Sequence, residues 1–267
     1  MTKILVLGGS GVLGSAVVNV LKAQSIPFLI GSRSPVKQHS YSTVNLSTES
    51  PWMCVDLVSG SGLAEALTGV DTVLHLASGQ GKIGHESFEM AITRKLLDAI
   101  KRSGVKHLIY SSIVGIDKIP FRYYRAKLEA EGLIRQSQVP YTILRATQFY
   151  NLIDYWISKL LALPLGFVPK SVQFQPIDVN AVAHKLVELT EVGNQQAILN
   201  QGGPEIRMLG SLTEQWMIYR KVSKPIVPIP AIGKVMHSLV NGDNTCSELD
   251  ASSKSWEEYL SGRYASQ

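Results

Sequence analysis

Apolar residues in the first half of the chain alternate between two patterns. Short β-branched runs predict six buried strands: Ile4-Leu5-Val6-Leu7, Phe28-Leu29-Ile30, Met53-Cys54-Val55, Thr72-Val73-Leu74-His75-Leu76, Val105 to Tyr110, and Tyr141-Thr142-Ile143-Leu144. Helical spacing fills the intervals. Val12 to Gln24 carries Val12, Ala16, Val17, Val20 and Leu21 on one stripe, and Gly62 to Leu67 forms a short helix. His85 to Arg102 places Phe88, Ile92, Leu96 and Ala99 three or four apart and stops at Ser103-Gly104. Phe121 to Gln136 follows Pro120. Strands that alternate with helices of this length imply βαβ units, and right-handed crossovers then wind helices onto both faces of a parallel sheet. The expected class is α/β, with useful residues just beyond the carboxyl ends of the strands.

The alternation fails from about Thr147. A helix is predicted from Phe149 to Leu163, an extended piece at Val172-Gln173-Phe174, a helix from Val179 to Thr190 and a strand at Ala197-Ile198-Leu199, while Pro225, Pro228 and Pro230 punctuate the tail. The expected division is therefore a dinucleotide-sized sheet domain over 1–150 and a smaller, irregular C-terminal substrate lobe over 151–267, partly interleaved with the sheet in one compact unit.

Composition narrows the class. The 267 residues are 45% apolar and 18% charged, which excludes a disordered chain. Two distant cysteines, Cys54 and Cys246, give neither a disulfide framework nor a zinc spacing. None of the six histidines (His39, His75, His85, His107, His184, His237) pairs at metal-ligand spacing, so no metal is expected. The N-terminus is apolar only over Ile4 to Leu7, and Leu152 to Val168 is interrupted by Asp154, Lys159 and Pro164. A cytoplasmic protein that does not engage a membrane is the expectation. The net charge of +5 is spread along the chain, with clusters only at Lys101/Arg102/Lys106 and Arg122/Arg125/Lys127, so no nucleic-acid partner is expected.

Gly8-Gly9-Ser10-Gly11-Val12-Leu13-Gly14 lies between the first strand and the first helix. Glycines at such spacing allow a tight turn, close approach of backbone to a pyrophosphate, and close helix–strand packing, and the helix N-terminus offers free N–H groups to the phosphates. This motif makes the sheet Rossmann-type. The second strand ends Ser32-Arg33-Ser34 without the acid that would hold a ribose 2′-hydroxyl; Arg33, with Ser32 and Ser34 as donors, suits a 2′-phosphate and favours NADP, with NADPH preferred over NADH. Asp56-Leu57 suits either an adenine pocket or a capping turn. Ala77-Ser78 provides small residues where a cofactor would cross the sheet.

Tyr123 and Lys127 leave one face of the helix after the fifth strand. A neighbouring ammonium and a position in the first helical turn are expected to lower the phenol's ordinary value near ~10 toward a useful acid–base range. The lysine can also hold the nicotinamide ribose. Taken together, the glycine loop, His75-Leu76-Ala77-Ser78, Tyr110-Ser111-Ser112 and Tyr123-x-x-x-Lys127 resemble the short-chain dehydrogenase/reductase superfamily. The stretches from Pro120 to Glu131 and from Tyr141 to Phe149 are similar to its atypical NmrA-like branch. The resemblance implies an NAD(P)-binding fold in which Tyr123 is the acid and Lys127 its support. The serine or threonine of a full triad would fall on Ile113, leaving Ser112 or Ser111 to substitute. Phe149, after the sixth strand, packs on the nicotinamide or begins a helix. Two functions follow. One is an NADPH-dependent oxidoreductase reducing a small apolar carbonyl, quinone or activated double bond. The other is a non-catalytic NADP-binding redox-sensing regulator that contacts a protein partner.

Overall fold

A computed structural model describes residues 3–34 and 51–265. His39 lies outside the described residues. In chain order the elements of the first half are β1 (Ile4–Leu7), α1 (Val12–Ala23), β2 (Phe28–Ser32), β3 (Trp52–Cys54), α2 (Leu63–Ala66), β4 (Thr72–His75), β5 (Lys82–Ile83), β6 (Glu86–Ser87), α3 (Phe88–Ile100), β7 (His107–Ile113), α4 (Arg122–Gln136) and β8 (Tyr141–Ala146). They are followed by α5 (Tyr150–Leu160), β9 (Gly166–Val168), β10 (Gln173–Phe174), α6 (Val179–Val192), β11 (Ala197–Gln201), β12 (Arg207–Met208), α7 (Leu209–Tyr219), β13 (Ile226–Pro228), α8 (Lys234–Val240) and α9 (Trp256–Tyr264).

Seven strands form one sheet in the order β11-β8-β7-β4-β1-β2-β3. The pairs β1–β2, β1–β4, β2–β3 and β4–β7 are parallel. Hydrogen bonds from Leu108 N to Pro140 O and from Val114 N to Ala146 O keep a constant offset, so β8 runs parallel to β7 as well. The chain winds outward in one direction through β2 and β3 and in the other through β4, β7 and β8. The topological switch point therefore lies between β1 and β4, where a doubly wound sheet opens a crevice at its carboxyl edge.

The chain divides into two units that are not consecutive in sequence. The first comprises 1–112, 122–145 and 182–199; the second comprises 113–121, 146–181 and 200–267. The first unit's core is built by Leu5, Leu7, Val73, Leu108, Tyr110 and Ile143 on the strands, against Ile92, Leu96, Ala130 and Ile134 on α3 and α4. The β1 residues Ile4 to Leu7 are all fully buried, as expected of a central parallel strand covered on both faces. Several boundaries differ from expectation by one to three residues, and two of the differences bear on the site. The helix predicted from His85 begins at Phe88, because Gly84 takes φ +59° and folds Lys82–Ser87 into a small antiparallel hairpin whose last residue caps α3. The fifth long strand runs on to Ile113, so Ser111 and Ser112 lie within it rather than after it.

The second unit has its own core of Tyr150, Ile153, Ile157, Leu212, Trp216, Trp256 and Leu260. Its centre is a buried carboxylate. Asp154 accepts from Trp216 Nε1 (2.7 Å), Tyr264 Oη (2.7 Å) and Tyr259 Oη (3.0 Å), and pairs with Arg263 at 2.9 Å. Every oxygen is satisfied, which is the condition for burying such a group without large cost. Among the described residues no helix is long and apolar enough to cross a membrane, and no group of three His, Cys, Asp or Glu gathers as a metal site.

Candidate cofactor and acid–base site

The glycine loop sits at the switch point, and packing fixes three of its four glycines. Gly8 has φ +87°, and a Cβ there would stand 2.5 Å from Ala77 N at the end of β4. A Cβ on Gly14 would lie 2.1 Å from Gly8 O, and one on Gly9 would lie 2.8 Å from Ile30 Cγ2. Gly11 differs. It is exposed with φ −77°, and its nearest contact would be Gly8 O at an ordinary 3.4 Å, so the protein itself does not require a glycine there. The space a side chain would fill lies over the start of α1. The first intrahelical bond is Ser15 N to Gly11 O, no side chain caps the helix, and the N–H groups of Val12, Leu13 and Gly14 precede that bond. This bare, positively polarised turn fits a pyrophosphate.

Arg33 is exposed just past β2, with no acidic residue at the strand end. Ser32 is less available than expected. Its hydroxyl donates to Ser34 O at 2.7 Å and accepts from Trp52 Nε1 at 2.8 Å, so its proton is committed within the turn. Asp56 caps its own loop, accepting from Val58 N (2.9 Å) and Ser59 Oγ (2.8 Å). These bonds, the Val58 one foremost, hold its carboxyl below the usual range. Leu57 points into the core at 8% exposure rather than lying open as an adenine platform.

Ala77 and Ser78 follow β4 beside Gly8. The Tyr123 hydroxyl, in the first turn of α4, hydrogen-bonds to Ser78 Oγ. The Tyr123–Lys127 pairing departs from expectation. Lys127 is buried, and its Nζ donates to Ser111 O (2.9 Å) and Tyr110 Oη (3.1 Å) while pairing with Glu89 at 3.6 Å. Its charge is thus spent on Glu89 and not on the phenol. The Tyr123 phenol is accordingly pushed up to about 12, first by burial and then by the Glu89 carboxylate. Burial also drives Lys127 down from its ordinary value, against the opposing pull of Glu89. His75 packs against Tyr110 with tilted rings whose centroids are 5.2 Å apart and is a buried core histidine, held neutral by desolvation that lowers it to about 4. Ser112 is buried with no hydrogen-bond partner for its Oγ, while Ser111 contributes its carbonyl to Lys127. Phe149, in the second unit, is half-buried and precedes the first residue of α5.

Glu89 is the residue that motif spacing does not reveal. It is fully buried and accepts from Ser78 Oγ (2.5 Å), Gly79 N (2.9 Å) and Tyr110 Oη (3.1 Å). One signal was present. Glu89 falls on the same stripe as Ile92, Thr93, Leu96 and Ile100, a carboxylate on the face that α3 buries.

Fold and loop together define a Rossmann-type NAD(P)-binding protein. A family model described as NAD(P)H-binding matches residues 8–158, and the chain belongs to that family. It is 27% identical over 166 residues to an NmrA-like family domain-containing protein of Dictyostelium discoideum, covering 58% of this chain and 54% of that protein. It is 26% identical over 146 residues to quinone oxidoreductase 2 of Escherichia coli, covering 53% of this chain and 47% of that one. The chain's matches thus span about half the length of both relatives. The fold superposes on a structure of an Escherichia coli NADPH-dependent quinone oxidoreductase complexed with NADPH, with a TM-score of 0.76, 16% identity, and coverage of 98% of this chain and 99% of that one.

Proposed function

We propose that the protein is an NADPH-dependent oxidoreductase that reduces a small apolar carbonyl, quinone or activated double bond. The observation carrying this reading is the Tyr123 hydroxyl, tied to Ser78 at the carboxyl end of β4, next to the backbone against which Gly8 packs. A phenol kept in its acid form at the cofactor edge of the sheet can protonate an oxygen that gains charge on reduction. The bound nicotinamide would supply the hydride. Gly8, Ser10, Gly11, Val12, Leu13 and Gly14 would hold the pyrophosphate, and Arg33 the 2′-phosphate. Asp56 would meet the adenine through its remaining lone pairs. Ala77 and Ser78 leave room for the cofactor's passage, and Lys127 would turn to the ribose. Ser112 is assigned a supporting role in the proton transfer. The name of the Escherichia coli relative supports the quinone class.

A second reading, an NADP-binding sensor without turnover, is favoured by one observation: Lys127 is engaged with Glu89 while an aliphatic residue, Ile113, occupies the triad register. A panel of quinones, enones and aldehydes followed by NADPH absorbance separates the two. The oxidoreductase reading expects turnover that falls about 10²–10⁴-fold in Tyr123→Phe with NADPH affinity retained. Tight NADPH binding without turnover on any class would overturn it in favour of the sensor.

A further inference from the structure

Glu89 accepts three hydrogen bonds and pairs with Lys127, and the direction of those bonds constrains Tyr123. The carboxylate can only accept, so the single proton of Ser78 Oγ is drawn to Glu89 Oε1 at 2.5 Å. Ser78 then has only lone pairs for Tyr123, and the phenolic O–H must be the donor in the bond between them. A phenolate at Tyr123 would have no proton to receive from Ser78 unless Glu89 released it. On its other oxygen Glu89 holds the Lys127 ammonium, at 3.6 Å, on the side of Tyr110 and Ser111.

We propose that Glu89 is a positioning residue that acts on Tyr123 through Ser78, holding the phenol in its acid form and thereby building the site for reduction rather than for the reverse oxidation of an alcohol. In the reductive step hydride would add to the substrate carbon and form a C–H bond, the π pair of the C=O bond would move onto oxygen, and the Tyr123 O–H bond breaks as its proton passes to that oxygen. The phenolate left behind takes up a proton from solvent before the next turnover. The oxidative direction needs that phenolate at the outset as a base, and Glu89 opposes it twice, by charge and by withholding the Ser78 proton. The other ionisable groups around Tyr123 do not cancel this. Tyr124 on α4 and Tyr110 on β7 are phenols, His75 on β4 is neutral, Glu131 on α4 adds negative charge near Tyr110 and Lys127, and Lys127 is already paired.

The inference rests on the reading of Tyr123 as the acid, but its test does not need turnover. Tyrosine labelled at the ring carbon bearing oxygen reports each phenolate by NMR, with Tyr123→Phe identifying the Tyr123 signal. In the wild-type protein Tyr123 should remain a phenol well above 10.0, the ordinary tyrosine value. Glu89→Gln removes the charge, and its amide can donate to Ser78 and free the serine proton for the phenolate. Tyr123 should then titrate at least about one pH unit lower. Glu89→Asp keeps the charge beside Lys127 but is too short to hold Ser78, and a smaller fall is expected. This second variant carries the test if the buried lysine prevents Glu89→Gln from folding. A wild-type Tyr123 titrating at or below 10.0, or a titration unmoved in the variants, overturns the proposal. A shifted titration in a protein that turns over none of the substrate panel removes the oxidoreductase reading and leaves the role of Glu89 standing.

Discussion

The glycine loop allows folding and cofactor binding to be separated by two adjacent alanine substitutions. In Gly14→Ala the new Cβ lies 2.1 Å from Gly8 O and 2.7 Å from Gly9 Cα, both backbone atoms that cannot swing aside. Relieving the first contact to the 3.4 Å found at Gly11 requires over an ångström of movement between β1 and α1. Overpacking of this kind costs about 1–3 kcal/mol. For a chain of this size each kcal/mol lowers Tm by roughly 2–4 °C, so a fall of about 4–12 °C is expected at the upper part of that range. Gly11→Ala meets nothing closer than 3.4 Å at a backbone angle that alanine adopts freely. Two small effects oppose each other there. Losing a glycine stiffens the unfolded chain, worth about 0.4–1 kcal/mol, while alanine is a poorer N-cap by a similar amount. Tm should therefore move little. The methyl group, however, stands over the N–H groups that would hold the pyrophosphate, and NADPH affinity should fall at least tenfold, about 1.4 kcal/mol. Calorimetric unfolding and NADPH titration of both variants make the comparison. Gly11→Ala with wild-type NADPH affinity would refute the placement of the phosphates on this turn.

Three further outcomes follow from named groups. Arg33→Ala should weaken NADPH far more than NADH in a binding titration, and equal weakening of the two would remove Arg33 from 2′-phosphate recognition. His75 and His107 are held neutral by burial at about 4 against an ordinary 6.5, so the unfolded chain binds more protons between those values. Their contribution is complete above 6.5 and is lost as pH falls toward 4; from pH 7 to pH 5 it amounts to about 2 kcal/mol per histidine. Urea midpoints should drop accordingly; a drop of half that size would show that one histidine protonates freely, and unchanged midpoints that both do. Glu131 receives Arg145 in a two-pronged pair, Nε to Oε1 at 3.0 Å and Nη2 to Oε2 at 2.6 Å, with the carboxylate 2% exposed. Glu131→Gln should cost about 3 kcal/mol, and the double variant Glu131→Leu/Arg145→Met should regain much of it, since an apolar pair leaves no buried charge alone. A double variant no more stable than the single one would argue against an uncompensated charge as the cause.

How much was legible depended on whether a signal was local. The parallel strands and their helices could be read because each buries a continuous run or a stripe, and these patterns survive wherever the segment sits in the sheet. The second unit was harder to read because it is assembled from strands of two or three residues, β9, β10, β12 and β13, too short to show any alternation. Its helix α7 does carry a spaced stripe of Leu209, Leu212 and Trp216, but the nearby prolines at 225, 228 and 230 obscured it. What orders that unit is Asp154 gathering Trp216, Tyr259, Tyr264 and Arg263 from as far as 110 residues away, a relation no spacing expresses.

The site shows the same limit at closer range. The four-residue interval between Tyr123 and Lys127 correctly predicts one helical face, and helical geometry alone suggests that the ammonium serves the phenol. A face, however, specifies only where two side chains begin. Where the lysine ends is decided by the acceptors within its reach, and the Ser111 carbonyl, the Tyr110 hydroxyl and a fully buried carboxylate on another helix together draw an ammonium that burial has stripped of water away from Tyr123. Once Glu89 stands in the interior it must be paired, and Lys127, Tyr110, Ser78 and the Gly79 amide together do so. The phenol thus meets the ammonium's charge only through a carboxylate and a serine, and the sign of the effect on Tyr123 reverses. An acid on the buried stripe of a helix beside a Tyr-x-x-x-Lys pair is therefore as informative about the chemistry as the pair itself, because the carboxylate determines which of the two residues receives the charge.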